Sequence, residues 1–342
     1  MMTIIQQPET FSFSSALKDI IIESDVNVTL VFSNGSSNFL QETYTPDNEN
    51  RIYVRDLSRL LVPYISKTEL RQRFLISVTP ATGAGSIIDI TVQYGLVEIN
   101  VSASEFLASH FLTILPGGKV IFPNQKEYLS LVVTEPTQVT ITAQYQSQAR
   151  QTKTLQVTTL NKVVTVDVSP SLFPDPETIF FIVVSAGTRS FLYYIRQLQV
   201  VDPVQFIFLN SFGVKETFIP AGLTLCENIY QNLFGSFYGL YRKHNVELVK
   251  QHTTNTGVLT QEMAPWLEEL FLSKDVFRFS PIGIEQEITI EEATVKRSSA
   301  KDELPAFEFK YRLSKRNHHE LYTSADNLSN RIFDQTHDLA FN

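Results

Sequence analysis

The sequence predicts a mainly β protein, with tandem β-sandwich domains followed by a β-rich C-terminal domain that carries a short helix. Three observations predict this. The chain holds 25 Phe and 13 Tyr against a single Trp, and aromatic and β-branched residues favour pleated, half-buried surfaces. Short runs of such residues recur between Gly, Pro, Asn and Asp turn signals, which is the spacing of a sandwich. At roughly 100–200 residues per domain, a length of 342 residues admits two or three domains.

The first domain is expected over residues 1–103. An Ile run lies within Lys18–Glu23. Val26, Val28, Leu30 and Phe32 alternate with Asn27 and Thr29, so this stretch buries one face of a strand, and Asn34-Gly35 then marks a turn. Phe39–Tyr44 reads as the next strand, ended by Pro46-Asp47-Asn48. Arg51–Leu61 begins extended and turns helical, with Leu57, Leu60, Leu61 and Tyr64 at helical spacing. Phe74–Val78 and Ile87–Tyr94 are strands on either side of Gly83-Ala84-Gly85.

A second domain is expected over 104–202, joined to the first through the small, polar stretch Asn100–Ser104. Its strands are Tyr128–Val133, Val139–Tyr145, Thr154–Val157, Val163–Val168, Ile179–Ser185 and Ser190–Ile195. Val26–Asn34 is similar to Gln138–Gln146, and Phe74–Tyr94 runs strand, small-residue loop, strand, as does Phe180–Tyr194. Either one Ig-like sandwich unit is duplicated in tandem, or two β segments merely look alike.

From 203 to 330 the pattern changes. Phe206–Leu209 and Lys215–Ile219 read as strands. Thr260 offers a helix cap ahead of a stripe made by Met263, Trp266, Leu267, Leu270 and Phe271. Pro265 sits in the first turn, where a missing N–H costs little. Glu285–Val295 alternates Glu285, Glu287 and Glu291 with Ile284, Ile288 and Ile290, and Glu308–Leu313 is a final strand.

Charge and sulfur narrow the function classes. Twenty-eight Lys and Arg against 36 Asp and Glu give a net charge of -8, which opposes a general role in binding nucleic-acid backbones. Cys226 alone can form neither an internal disulfide nor a cysteine-based zinc site. The N-terminus lacks a basic segment followed by an apolar one, so no secretory signal is visible, and no run of about 20 apolar residues points to a membrane span. Synthesis in a cytoplasm, with no cofactor and no metal, is the expectation.

No catalytic constellation has a specific spacing. Phosphate-binding loops, dinucleotide fingerprints and the Gly-x-Ser-x-Gly elbow are missing from the sequence. His318-His319 would point to opposite faces of a strand, which suits a solvated turn better than a metal pair. Glu285, Glu287, Glu291 and Glu292 could do acid–base work or bind calcium, but their alternation with Ile reads more simply as an exposed strand face. Arg71-Gln72-Arg73, Lys296-Arg297 and Lys310–Arg316 are short basic clusters flanked by acids, suited to surface solubility or to an acidic partner.

Residues 331–342 form an apolar-spaced tail. Phe333, Leu339 and Phe341 are too apolar for a free end. They bury either on their own domain or on a neighbouring subunit, and are the candidate assembly residues.

One block carries a resemblance. Phe206–Gly222 (FIFLNSFGVKETFIPAG) resembles a Phe-Leu-Asn-x-Phe-Gly-x-x-Glu segment of proteins from phages and prophages of Bacteroides and related bacteria. Gly257–Phe277, Phe307–Asn317, Arg331–Phe341 and the arrangement of Tyr44–Asp47 with Ile52–Leu57 are similar to the same group. The resemblance implies a virion structural protein of the tail or tail-to-capsid region, without a catalytic role. Its implied partners are further copies of itself and other virion proteins, in a ring or sleeve. It would be made in the bacterial cytoplasm and leave by lysis. The competing readings are a carbohydrate- or receptor-binding adhesin, and a glycosidase that uses the acidic strand.

Overall fold

A computed structural model describes residues 2–174, 177–197, 203–279, 285–295 and 304–314. The protein is mainly β, with sandwich domains and short helices, as its sequence implies. Contacts group the chain into two units. Unit 1 comprises residues 1–199, 208–218 and 262–274; unit 2 comprises 200–207, 219–261 and 275–342. The segments 208–218 and 262–274, which the sequence assigns to a third domain, therefore lie with the two sandwiches.

The first sandwich of unit 1 is made of β1 (Thr3–Gln6), β2 (Phe11–Phe13), β3 (Ile20–Glu23), β4 (Val28–Ser33), β5 (Asn38–Tyr44), β6 (Arg51–Val54), helix α1 (Leu57–Leu61), β7 (Arg71–Pro80) and β8 (Ser86–Gln93). One sheet has the order β2-β8-β7-β4-β5 and the other β1-β3-β6. Alternation does the work of the sequence here: Val28, Leu30 and Phe32 are buried while Thr29 and Val31 are only half-buried. Phe74, Ile76 and Val78 of β7 and Ile20 and Ile22 of β3 complete the same core.

Helix α2 (Ala103–Ser109) follows, then β9 (Gly118–Ile121), β10 (Tyr128–Val132), β11 (Thr137–Tyr145), β12 (Arg150–Val157), β13 (Val163–Asp167), β14 (Ile179–Ala186) and β15 (Arg189–Ile195). Their sheets run β12-β11-β14-β15-β9 and β10-β13. Read from the other edge, the larger sheet is β9-β15-β14-β11-β12, which repeats β2-β8-β7-β4-β5 strand for strand. The repeat extends to detail. In each sheet the edge strand is parallel to its neighbour, β2 to β8 and β9 to β15, while the other pairings are antiparallel. The two sequence likenesses fall on corresponding strands, β4 with β11 and β7–β8 with β14–β15.

The junction between the sandwiches is not a loose linker. Ser102 caps α2, its hydroxyl accepting from the Glu105 N–H at 3.2 Å. Ala103 and Leu107 of the helix join Phe13, Leu70, Leu112 and Phe212 in one apolar cluster. The guanidinium of Arg189 lies buried against the C-terminal turn of α2, donating to the carbonyls of Leu107 and His110 and, at 2.9 Å, to that of Val132. These carbonyls are ones that a helix end or a strand end leaves unmatched.

Next come β16 (Phe206–Leu209), β17 (Lys215–Phe218), β18 (Thr224–Phe237), β19 (Leu240–Asn255), α3 (Met263–Leu272), β20 (Val276–Phe279), β21 (Glu285–Thr294) and β22 (Glu308–Leu313). α3 starts at Met263 with Glu262 as its N-cap and no side-chain cap bond there, so Thr260 lies just outside it. In unit 2, β20, β21, β22, β19 and β18 form sheet neighbours in that order. Phe206, Phe309 and Tyr311 pack edge-on at its core, with centroids 5.2 and 5.4 Å apart. No described helix is long and apolar enough to cross a membrane.

Candidate functional site

Two features stand out chemically, one inside unit 1 and one on unit 2. The first grows from the Phe208–Glu216 segment. The side-chain oxygen Oδ1 of Asn210 accepts from the N–H groups of Phe212 (2.9 Å) and Val214 (3.2 Å), folding the chain into a tight turn. Gly213 holds φ at +76°, and a Cβ there would meet Leu70 Cδ2 at 2.7 Å, so the position needs glycine on both counts. The Asn210 amide donates to Glu216 Oε1 (2.6 Å) and to the Leu112 carbonyl (2.8 Å). Trp266 Nε1 donates to the other Glu216 oxygen. Phe212 stacks on Phe106 of α2 and meets Phe13 edge-on.

Beside this pair lies a buried ion pair. Lys119 Nζ donates to both oxygens of Glu127 at 2.8 and 2.9 Å and to the Thr217 carbonyl at 2.6 Å, with 2% and 1% of the two side chains exposed. The ammonium also lies 4.5 Å from the centre of the Trp266 ring. Gln125 and Thr217 donate to the same carboxylate. Burial pushes the Glu127 carboxyl up, and Lys119 opposes it. Glu269 of α3 accepts from the Ser211 N–H at 2.9 Å, while its Oε2 has no hydrogen-bond partner among the described residues. Its carboxyl is pushed up to about 7, by burial first and by Glu216 second.

Perturbed carboxyls of this kind often mark catalysis. Here Lys119, Glu127, Asn210, Glu216, Trp266 and Glu269 are all buried. The cluster ties 208–218 and α3 to the second sandwich.

The second feature is the β18–β19 ribbon. Tyr238 and Gly239 turn the chain with φ of 50° and 73°, the pair of left-handed residues that a two-residue hairpin turn demands. The strands are in register from Thr224 opposite Thr254 to Phe237 opposite Leu240, with an irregularity at Leu233/Phe234. β19 pairs with β22 only from Gln251 to Asn255. Over the rest of its length the ribbon has no further strand beside it among the described residues.

Its side chains are unusual for such a position. None of the described side chains from Leu225 to Glu247 is buried, yet Leu225, Leu233, Phe234 and Leu240 are all exposed, and Tyr241 is 76% exposed. Strand geometry sends successive side chains to opposite faces. Leu225, Ile229 and Leu233 share one face, and Tyr230 and Phe234 the other, so both faces carry apolar groups. Phe234 and Tyr241 stack at 5.1 Å with ring planes 7° apart.

At the base of the ribbon Cys226 Sγ is 3.9 Å from His252 Nε2, and the His252 ring stacks on Tyr311. Burial, then Arg278 and Lys250, push the His252 pKa down to about 4. The imidazole is neutral at neutral pH and supplies no positive charge to hold a thiolate.

The residues singled out by sequence fall as follows. Phe333, Leu339 and Phe341 lie outside the described residues, as do His318, His319, Lys296 and Arg297. Glu291 and Glu292 are on β21, bonded to Arg312 (3.2 Å) and Lys310 (2.9 Å) across the strand pair, as an exposed face would be. Trp266 is fully buried on its expected stripe. The ribbon itself carries no sequence expectation at all; Tyr238-Gly239 between aromatic residues is the signal that marks it. Among the described residues no three metal-ligating side chains come together. No family model and no curated protein matches the chain.

Proposed function

We propose that this chain is a non-enzymatic structural subunit of a virion, from the tail or tail-to-capsid region of a phage of Bacteroides or a related bacterium, and that it builds a ring or sleeve. The observation that carries the reading is the ribbon. Apolar side chains on both faces, with two-stranded pairing and no cover among the described residues, suit a surface kept for a partner. Within the segments that resemble phage proteins, Phe208–Glu216 of Phe206–Gly222 and the helix of Trp266 in Gly257–Phe277 bond to each other inside unit 1, which is a structural use of those residues. Such a subunit is made in the host cytoplasm, needs no cofactor, and meets further copies of itself and other virion proteins.

A second reading, a carbohydrate- or receptor-binding adhesin, draws on the exposed Phe234–Tyr241 stack, since sugars dock on aromatic faces. Native mass spectrometry and negative-stain imaging separate the two. Discrete rings or stacked rings are expected. A chain that stays monomeric at every concentration and binds a glycan array favours the adhesin. The tail enters the same experiment. Deleting residues 331–342, with Phe333, Leu339 and Phe341, is expected to leave a folded protein that assembles poorly; thermal unfolding reports the fold and light scattering the assembly. Loss of thermal stability with an intact oligomer would count against the tail as an arm.

A further inference from the structure

We infer that the ribbon is completed by the ribbon of a second copy of this chain, with β18 of one copy pairing antiparallel to β19 of the next, so that successive copies build one intermolecular sheet. The inference rests on the reading of the chain as an assembly subunit and names the surface and the partner.

The backbone argument comes first. Among the described residues β18 pairs with β19 alone, and β19 is free of β22 over residues 240–250. Along that length both outer edges present N–H and C=O groups with no strand beside them among the described residues. Proteins normally blunt such edges with charges, Pro or cover. β12, an outer strand of unit 1, carries Arg150 and Lys153 on its exposed residues. β18 has no Pro and one charge, Glu227, in Thr224–Phe237. It is the less protected edge and the longer one.

Charge chooses between the possible pairings. β18 carries an acid and no base, whereas β19 carries Arg242, Lys243 and Lys250 against Glu247. Pairing β19 with β19 would set two strands of net positive charge side by side. Pairing β18 with β19 sets strands of opposite net charge side by side and leaves every copy with one edge of each kind for the next. A head-to-tail contact of this sort propagates, and closes into a ring when its rotation permits.

Side-chain pattern disfavours the other obvious occupant, a lipid bilayer. A lipid-facing strand needs an unbroken apolar band. On one face of this ribbon Ile229 opposite Val249 is followed by Gln231 opposite Glu247. On the other, Tyr230 opposite Leu248 is preceded by Asn228 opposite Lys250. Both faces mix apolar and polar groups, as wet protein interfaces do.

The test uses the full chain. Ile229 and Val249 are register partners, so replacing residues 230–248 by Asn-Gly closes a short hairpin with a favoured turn and leaves the β19–β22 pairing at Gln251–Asn255 untouched. Native mass spectrometry is expected to show oligomers for the unaltered chain and monomers for this variant. A second variant, Tyr230→Lys with Leu233→Lys, keeps the ribbon and is expected to weaken self-association by roughly tenfold or more. Hydrogen exchange adds a direct readout: among the amides of 225–236 and 241–249, those on the outer edges of the hairpin should be protected in the oligomer and exchange after dilution to monomer. Oligomers that persist in both variants would overturn the ribbon pairing and leave the subunit reading standing. A monomeric native chain with unprotected ribbon amides would remove both. Leakage of phosphatidylcholine–phosphatidylglycerol vesicles caused by the native chain, and lost in the shortened variant, would replace the second copy by a membrane.

Discussion

Glu269 is a carboxyl whose second oxygen lacks a partner among the described residues, and its protonation is linked to folding. Its folded pKa of about 7 stands above the ordinary 4.5. The folded state therefore holds a proton that the unfolded state has released between those pH values. The contribution is fully present below about pH 4.5 and is lost as pH rises to about 7, on the order of 3 kcal/mol in all. His252 has the opposite slope, since a pKa lowered from 6.5 to about 4 makes stability rise with pH across that window. The two slopes oppose each other in the native protein, so the difference between native and Glu269→Gln is the informative quantity. Urea unfolding at pH 5 and pH 7.5 is expected to show the variant gaining on the native protein at the higher pH. An unchanged difference would remove Glu269 as the source. The neighbouring ion pair makes a second residue-level prediction. Lys119→Met alone leaves the Glu127 carboxylate buried without its cation and is expected to cost about 3–5 kcal/mol. Adding Glu127→Leu should recover a large part of that loss in a double-mutant cycle. At this scale the sequence tells little. Trp266 is legible as a core residue from its helical stripe, but its partner Glu216 is on another element, and no local period marks Glu216 or Asn210 as buried. Lys119 follows two glycines and reads as part of a turn.

Elements divide by whether one face is buried. β4, β7, β11 and β14 each bury alternate residues, and the period of two exposes them in the sequence. β18 and β19 have apolar and polar residues on both faces, which erases that period and hides the longest of the described strands. α2 is hidden for a different reason. Seven residues give less than two helical turns, too few for a 3.6-residue period to be read, and the small polar stretch before it looks like a linker. Ser102→Ala is expected to cost about 1 kcal/mol through the lost cap. Since Ala103 and Leu107 are buried, limited proteolysis should spare Val101–Ser104 in the native protein; rapid cutting there would mean that α2 is not docked. Arg189→Met removes the donor shared by α2 and β10 and is expected to destabilise unit 1 by roughly 2–4 kcal/mol, measured by chemical unfolding.

For the whole molecule, the repeat of strand order gives a physical account of the similarity between two stretches of sequence. β4 and β11 occupy equivalent central places in their sheets, flanked on both sides and packed on one face, so similar residues suit both. The mainly β class and the two sandwiches could be read from such strands. The grouping of 208–218 and α3 with the sandwiches could not, because it depends on contacts between residues far apart in the chain, such as Asn210 with Leu112. A further expectation follows at this scale. A fragment ending at residue 203 lacks Thr217, Glu216 and Trp266, and so leaves the Lys119–Glu127 pair uncovered. It should unfold at a lower urea concentration than unit 1 does in the full chain, and equal midpoints would show that the two sandwiches stand without the added segments.

Residues 219–261, with the whole ribbon, lie in the chain between the two late segments of unit 1. A ribosome extends a chain at about 5–20 residues per second, so the ribbon leaves it seconds before α3 does. In that interval Glu216 has been made and its indole partner has not. The ribbon, with its exposed apolar side chains, thus emerges first, on a chain whose own interior still lacks Trp266.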